Sequence, residues 1–83
     1  VKAAMDLGFS EAEASQLVQH TLFGSAQLWL HSGESPGTLR QRVTSPGGTT
    51  AAAIEKFDDM NIGPGIRRGI NQAFLRAVEL SKP

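Results

Sequence analysis

Between positions 44 and 50 the chain reads Thr-Ser-Pro-Gly-Gly-Thr-Thr and then runs into three alanines and an apolar-periodic segment. Two glycines after a proline permit backbone angles closed to other residues and let a ligand approach the main chain. The first amides of a helix have no partner inside it, and they point outward with the positive end of the helix dipole behind them. Together these features suit an anion, a carboxylate or a phosphate, held on the amides around Gly48, Thr49 and Thr50. The hydroxyls of Ser45, Thr49 and Thr50 are then available for a second polar group. The same residues also fit a plain turn in which Thr49 or Thr50 caps the helix through its side chain, since helix starts favour Ser and Thr. A Walker-type phosphate loop is excluded, because its spacing and its lysine are both missing.

Other chemistry-bearing residues read more simply as scaffold. Gly63-Pro-Gly-Ile-Arg-Arg-Gly69 resembles a dinucleotide fingerprint, but its spacing is wrong by one and no strand precedes it. His20 and His31 lack a carboxylate at ligand spacing, so surface or helix-end roles are expected and no metal site is read. Asp58 and Asp59 are adjacent, and adjacent helical residues point in different directions, which fits a solvated helix end better than a catalytic pair. Trp29 is expected to anchor a core or an interface, and Arg67 and Arg68 to lie on a solvated face.

The elements that must position the 44–50 segment are helical. Ser10 and Glu13 have the spacing of a capping box, so a helix is expected to start there. Ala14, Leu17, Val18, Thr21, Leu22, Ser25, Ala26 and Trp29 recur at three- and four-residue intervals as one stripe, and Gly33 ends it. The small residues Gly24, Ser25 and Ala26 within it permit a tight helix crossing. Residues 1–8 read like the last turns of a helix that begins further upstream. Ser35 before Pro36 predicts a second start, with Leu39 and Val43 facing inward on a short helix. After the 44–50 loop, helix is expected across Ala51 to Phe57, with Ile54 and Phe57 inward and an end near Asp58-Asp59. A last helix is expected to follow Pro64, its stripe formed by Ile66, Ile70, Ala73, Phe74, Ala77 and Val78, with Arg67, Arg68, Arg76 and Glu79 in water. No window alternates as a half-buried strand would, so the fold class is all-α, a helical bundle.

With 83 residues the chain holds one domain at most, and it has no cysteine to staple a small core. Self-association is the remaining source of stability. Eight basic residues balance eight acidic ones, which gives no field that would favour nucleic acid or an anionic membrane as partner. The balance is uneven along the chain: four acids and one base precede Arg40, and seven bases and four acids follow from there, an asymmetry that would help two copies pack head to tail. No apolar run approaches the roughly 20 residues that span a bilayer, and no basic-then-apolar start suggests a signal peptide. A cytoplasmic setting is expected.

The stretch from Pro36 through Leu39, Val43, Thr44, Ser45, Gly47, Gly48, Thr50, Ala53, Ile54 and Phe57 to Asp58 resembles the signature of the pyrroline-5-carboxylate reductases at its expected spacing. Leu7-Gly-Phe-Ser10, Gly24 to Leu28 and Ala77 to Lys82 are also similar to that family's C-terminal domain. The resemblance implies that residues 1–83 are a C-terminal helical dimerisation and substrate-binding domain. It implies an interlocked homodimer, sometimes assembled into a larger ring such as a decamer. The parent enzyme would reduce 1-pyrroline-5-carboxylate to L-proline with NADPH or NADH, the cofactor being bound mainly by an N-terminal Rossmann domain that is absent from these residues. Ser45, Gly47, Gly48, Thr49 and Thr50 would then receive the substrate's carboxylate, with Thr50, the one catalytic candidate, bonding near the ring nitrogen. Residues 1–83 alone would be inactive. The family's turn before Arg67 is shorter than Met60-Asn-Ile-Gly-Pro64 by about four residues. A different imino acid as substrate is one alternative. Another is a stand-alone interaction module, since Met5 to Ser10 resembles the opening of a ubiquitin-associated domain.

Overall fold

The computed structural model describes residues 1–83 and contains five α-helices and no strand: α1 (Lys2–Asp6), α2 (Glu11–Ser32), α3 (Pro36–Val43), α4 (Thr49–Asp59) and α5 (Ile62–Ser81). They fall into two compact units, Val1–Gln41 and Arg42–Pro83.

In the first unit α1 packs on α2. The turn between them is fixed by Gly8 at φ 108°, a conformation that a side chain would strain. It lets the amide of Phe9 reach the carbonyl of Ala4 and that of Gly8 reach Met5, two bonds that close α1. α2 then begins as its spacing predicts. Ser10 Oγ accepts from the amide of Glu13 at 3.2 Å, and the Glu13 carboxylate accepts from the amide of Ser10 at 2.9 Å. These bonds hold the Glu13 carboxyl below its ordinary value, the backbone bond contributing most. Gly33, left-handed at φ 68°, ends the helix. Ser35 caps α3 by accepting from the amide of Thr38 at 3.1 Å, with Pro36 at the first helical position.

In the second unit α4 contacts α5. Both helices start earlier than the sequence predicts. α4 starts at Thr49 rather than Ala51 and ends at Asp59, where its end is expected. α5 starts at Ile62, two residues before the proline expected to precede it. Pro64 is tolerated there because amides of a first turn have no acceptor, and the carbonyl its ring would strike, that of Met60, lies outside the helix. One residue, Asn61, turns the chain between the two helices at φ 56° and ψ 39°.

Ala14 is the only buried residue of the chain. Ile54 and Leu39 are half-buried, whereas Phe57 and Val43, expected to face inward, are 54% and 64% exposed. The α5 stripe is exposed as well, from Ile66 to Phe74. Amphipathic faces are therefore present where their spacing puts them, but this chain supplies nothing to cover them. No helix is long and apolar enough to cross a membrane.

A candidate carboxylate-binding loop

The loop before α4 is built from one tight turn. Pro46 fixes φ at the second position, Gly47 takes φ 72° at the third, and the amide of Gly48 donates to the carbonyl of Ser45 at 3.0 Å. Proline followed by a left-handed glycine is the arrangement a type II turn requires. The chain leaves it at Gly48 in an extended conformation, φ −83° and ψ 178°, and enters α4 directly.

This settles which residue caps the helix. Gly48 is the N-cap and has no side chain to offer, so Thr49 and Thr50 are the first two helical residues and neither is the cap. The first bond of α4 runs from the amide of Ala52 to the carbonyl of Gly48 at 3.1 Å. The amides of Thr49, Thr50 and Ala51 thus precede the hydrogen-bonded ladder, uncapped, at the positive end of an eleven-residue helix. The sequence reading puts an anion on the amides around Gly48, Thr49 and Thr50; in the structure the amide of Gly48 is engaged by Ser45, and the free ones are those of Thr49, Thr50 and Ala51.

Each expected site residue falls within this one turn and helix start. Thr50 and Gly48 are half-buried, while Ser45, Gly47 and Thr49 are exposed. The hydroxyls of Thr49 and Thr50 have no hydrogen-bond partner within the chain. A Cβ on Gly48 would stand 2.5 Å from Ser45 Oγ and 3.1 Å from the Ser45 carbonyl oxygen, so a side chain there crowds Ser45, whereas one at Gly47 would be strained by its left-handed angle. The amide of Ala51 is also free, and it follows from the helix start at Thr49 rather than from the residue types of the loop.

The remaining candidates form no second site. Residues 63–69 form the first two turns of α5 and no loop, which removes the likeness to a dinucleotide fingerprint. No three His, Asp or Glu side chains gather where a metal could bind. Asp58 and Asp59 end α4, exposed. A groove of about 660 Å³ lined by Pro64, Arg67, Arg68, Asn71 and Gln72 runs along α5, but it is the open face of a single helix and includes none of the loop. Trp29 is 56% exposed, so it anchors no core within this chain.

An all-helical chain with one glycine turn at a helix start and most of its large apolar side chains uncovered has the properties of an assembly domain. It matches the family described as pyrroline-5-carboxylate reductase dimerisation over residues 1–80, and it belongs to that family. It is 41% identical over 80 residues to a pyrroline-5-carboxylate reductase of Pseudomonas aeruginosa, covering 96% of this chain and 29% of the relative. It is 34% identical over 82 residues to one from Kluyveromyces lactis, covering 99% of this chain and 29% of the relative. It is 31% identical over 81 residues to pyrroline-5-carboxylate reductase 3 of Macaca fascicularis, covering 98% of this chain and 30% of the relative. The chain thus spans less than a third of the length of these relatives and matches their C-terminal part. A match that runs through α5 does not favour the ubiquitin-associated reading, which rested on residues 5–10 alone. As a dimerisation domain the chain self-associates.

Proposed function

We propose that residues 1–83 are the C-terminal part of a reductase that converts 1-pyrroline-5-carboxylate to L-proline in the cytoplasm, and that they supply both its dimer and the cradle for the substrate's carboxylate. The observation that carries the second role is the set of uncapped amides at Thr49, Thr50 and Ala51. A carboxylate there accepts two or three charge-assisted bonds at a helix N-terminus, each worth about 1.5–3 kcal/mol. The carboxylate and the imine nitrogen lie on neighbouring atoms of the pyrroline ring, so anchoring one aims the other. In this reading the free hydroxyl of Thr50 bonds near the ring nitrogen, where a proton must arrive as the C=N bond is reduced.

No strand or glycine-rich strand-to-helix turn exists among these residues to hold a dinucleotide. NADPH or NADH is accordingly assigned to a Rossmann domain in the remainder of a longer chain, where it supplies the hydride for the imine carbon. Residues 1–83 contribute position and charge complementarity, and have no activity alone.

The dimer is proposed to be interlocked, and larger rings such as a decamer would stack such dimers. Uncovered surface supports the dimer. Phe57, Ile66, Ile70 and Phe74 are among the large apolar side chains left exposed within the second unit.

The test for the cradle is nuclear magnetic resonance of the longer protein titrated with L-proline. The amides of Thr49, Thr50 and Ala51 are expected to shift together, and their remaining in place while other amides respond would remove the loop from the site.

A further inference from the structure

The two long helices of the chain start in opposite ways. α2 opens on the capping box of Ser10 and Glu13, with Glu11 and Glu13 in its first turn. α5 opens on Asn61, whose side chain makes no capping bond from its left-handed position, and no acid lies in the first turn. The ladder of α5 begins with the amide of Gly65 donating to the carbonyl of Asn61 at 3.0 Å, and Pro64 just before it has no amide to donate.

The residues that follow form a weak helix. Gly63, Gly65 and Gly69 all fall within residues 62–69. Gly65 and Gly69 lie past the first turn, where a glycine in place of alanine weakens a helix by about fivefold in its equilibrium constant. Packing within the chain offsets little of this. Ile62, Ile66 and Ile70 are exposed, and a Cβ built on Gly65 or Gly69 meets no atom within 4 Å.

From Gln72 onward the composition reverses. Gln72, Ala73, Leu75, Arg76 and Ala77 are strong helix formers, and the Arg76 guanidinium donates to the Glu79 carboxylate at 2.8 Å. α5 is thus one helix by geometry and two segments by stability.

The weak segment follows directly on Asn61, the one residue that joins α4 to α5, and α4 carries the candidate carboxylate loop at its start. While residues 62–69 are helical they span about 12 Å, and Asn61 is the whole joint. Extended, the same residues reach about 26 Å.

We propose that residues 62–69 are a hinge: they unwind ahead of the rest of α5, so that α4 and residues 70–81 change their relative position without either melting. Segments that move in this way are drawn from the least stable part of a fold. The hinge rests on α4 and α5 alone and not on the ligand of the loop.

The test is amide hydrogen exchange of the full-length protein, corrected for intrinsic rates. Unwinding of residues 62–69 opens the bonds donated by the amides of Ile66 to Ile70, so these are expected to exchange at least about tenfold faster than the amides of Phe74 to Ala77. Equal protection of the two sets would overturn the hinge. Gly65→Ala and Gly69→Ala together, at positions where φ is not positive, are expected to slow exchange at Ile66 to Ile70 by about tenfold or more and to leave Phe74 to Ala77 within twofold. A double variant that slows both sets alike, or neither, would show α5 opening as one unit and would overturn the proposal too. If the double variant does not fold, the comparison within the unmodified protein decides alone.

Discussion

The amide of Gly48 donates to the carbonyl oxygen of Ser45 at 3.0 Å, and this bond decides which amides at the start of α4 are left free. It closes the turn, leaves Gly48 extended, and starts the free set at Thr49. A methyl at position 48 would meet Ser45 Oγ, which can rotate away, and would press on the Ser45 carbonyl at 3.1 Å, while the larger side chain of valine adds two methyls at the same point. Gly48→Val is therefore expected to raise KM for the imino acid about tenfold or more in the full-length reductase, the loss of one charge-assisted bond, with a smaller change in kcat. Steady-state kinetics checks it. Gly47→Ala acts differently: it strains a left-handed residue by about 1–2 kcal/mol and should lower thermal stability.

Thr50 separates chemistry from folding, since its hydroxyl bonds nothing in the chain. Thr50→Val keeps the shape and removes the hydroxyl. It should leave the melting temperature of the full-length protein within a few degrees and lower kcat/KM by about tenfold to a hundredfold. Thr50→Ser should restore most of the activity. Equal activity in the valine variant would remove Thr50 from the reaction.

How much of this was legible in the sequence depended on whether a local signal acts alone. The capping box at Ser10 and Glu13, the stop at Gly33 and the start at Ser35-Pro36 each work within four residues, and each stands where its spacing put it. Signals that compete were misread. Thr49 and Thr50 are good caps, but Gly48, already extended as it leaves the turn, takes the position first. Pro64 reads as a boundary, yet a proline in a first turn costs no hydrogen bond, so α5 begins before it. Phe57 lies on an apolar face; what its spacing cannot say is that this chain leaves the face exposed.

Asn61 joins α4 to α5 in a left-handed conformation that only glycine adopts freely and asparagine tolerates. Asn61→Gly is expected to unfold within about 1 kcal/mol of the unmodified protein. Asn61→Val places a branched side chain at φ 56° and should destabilise by roughly 1–2 kcal/mol or more. Denaturant unfolding of the two variants gives the difference directly. A valine variant as stable as the glycine one would mean that the turn relaxes out of this conformation.

The capping box makes one contribution to stability depend on pH. Bonds from the amide and hydroxyl of Ser10 hold the Glu13 carboxyl below its ordinary value of 4.5. A carboxyl lowered on folding binds protons less readily in the native state than in the unfolded one. Its contribution is therefore fully present above the ordinary value and is lost as pH falls through the lowered one. Glu13→Gln keeps a side chain able to reach the amide of Ser10 but does not titrate. The melting temperatures of the two proteins should accordingly keep a constant difference from neutral pH down to about 5 and converge below 4.5 as Glu13 protonates. A difference that stayed constant through that range would show that Glu13 does not hold the cap in solution.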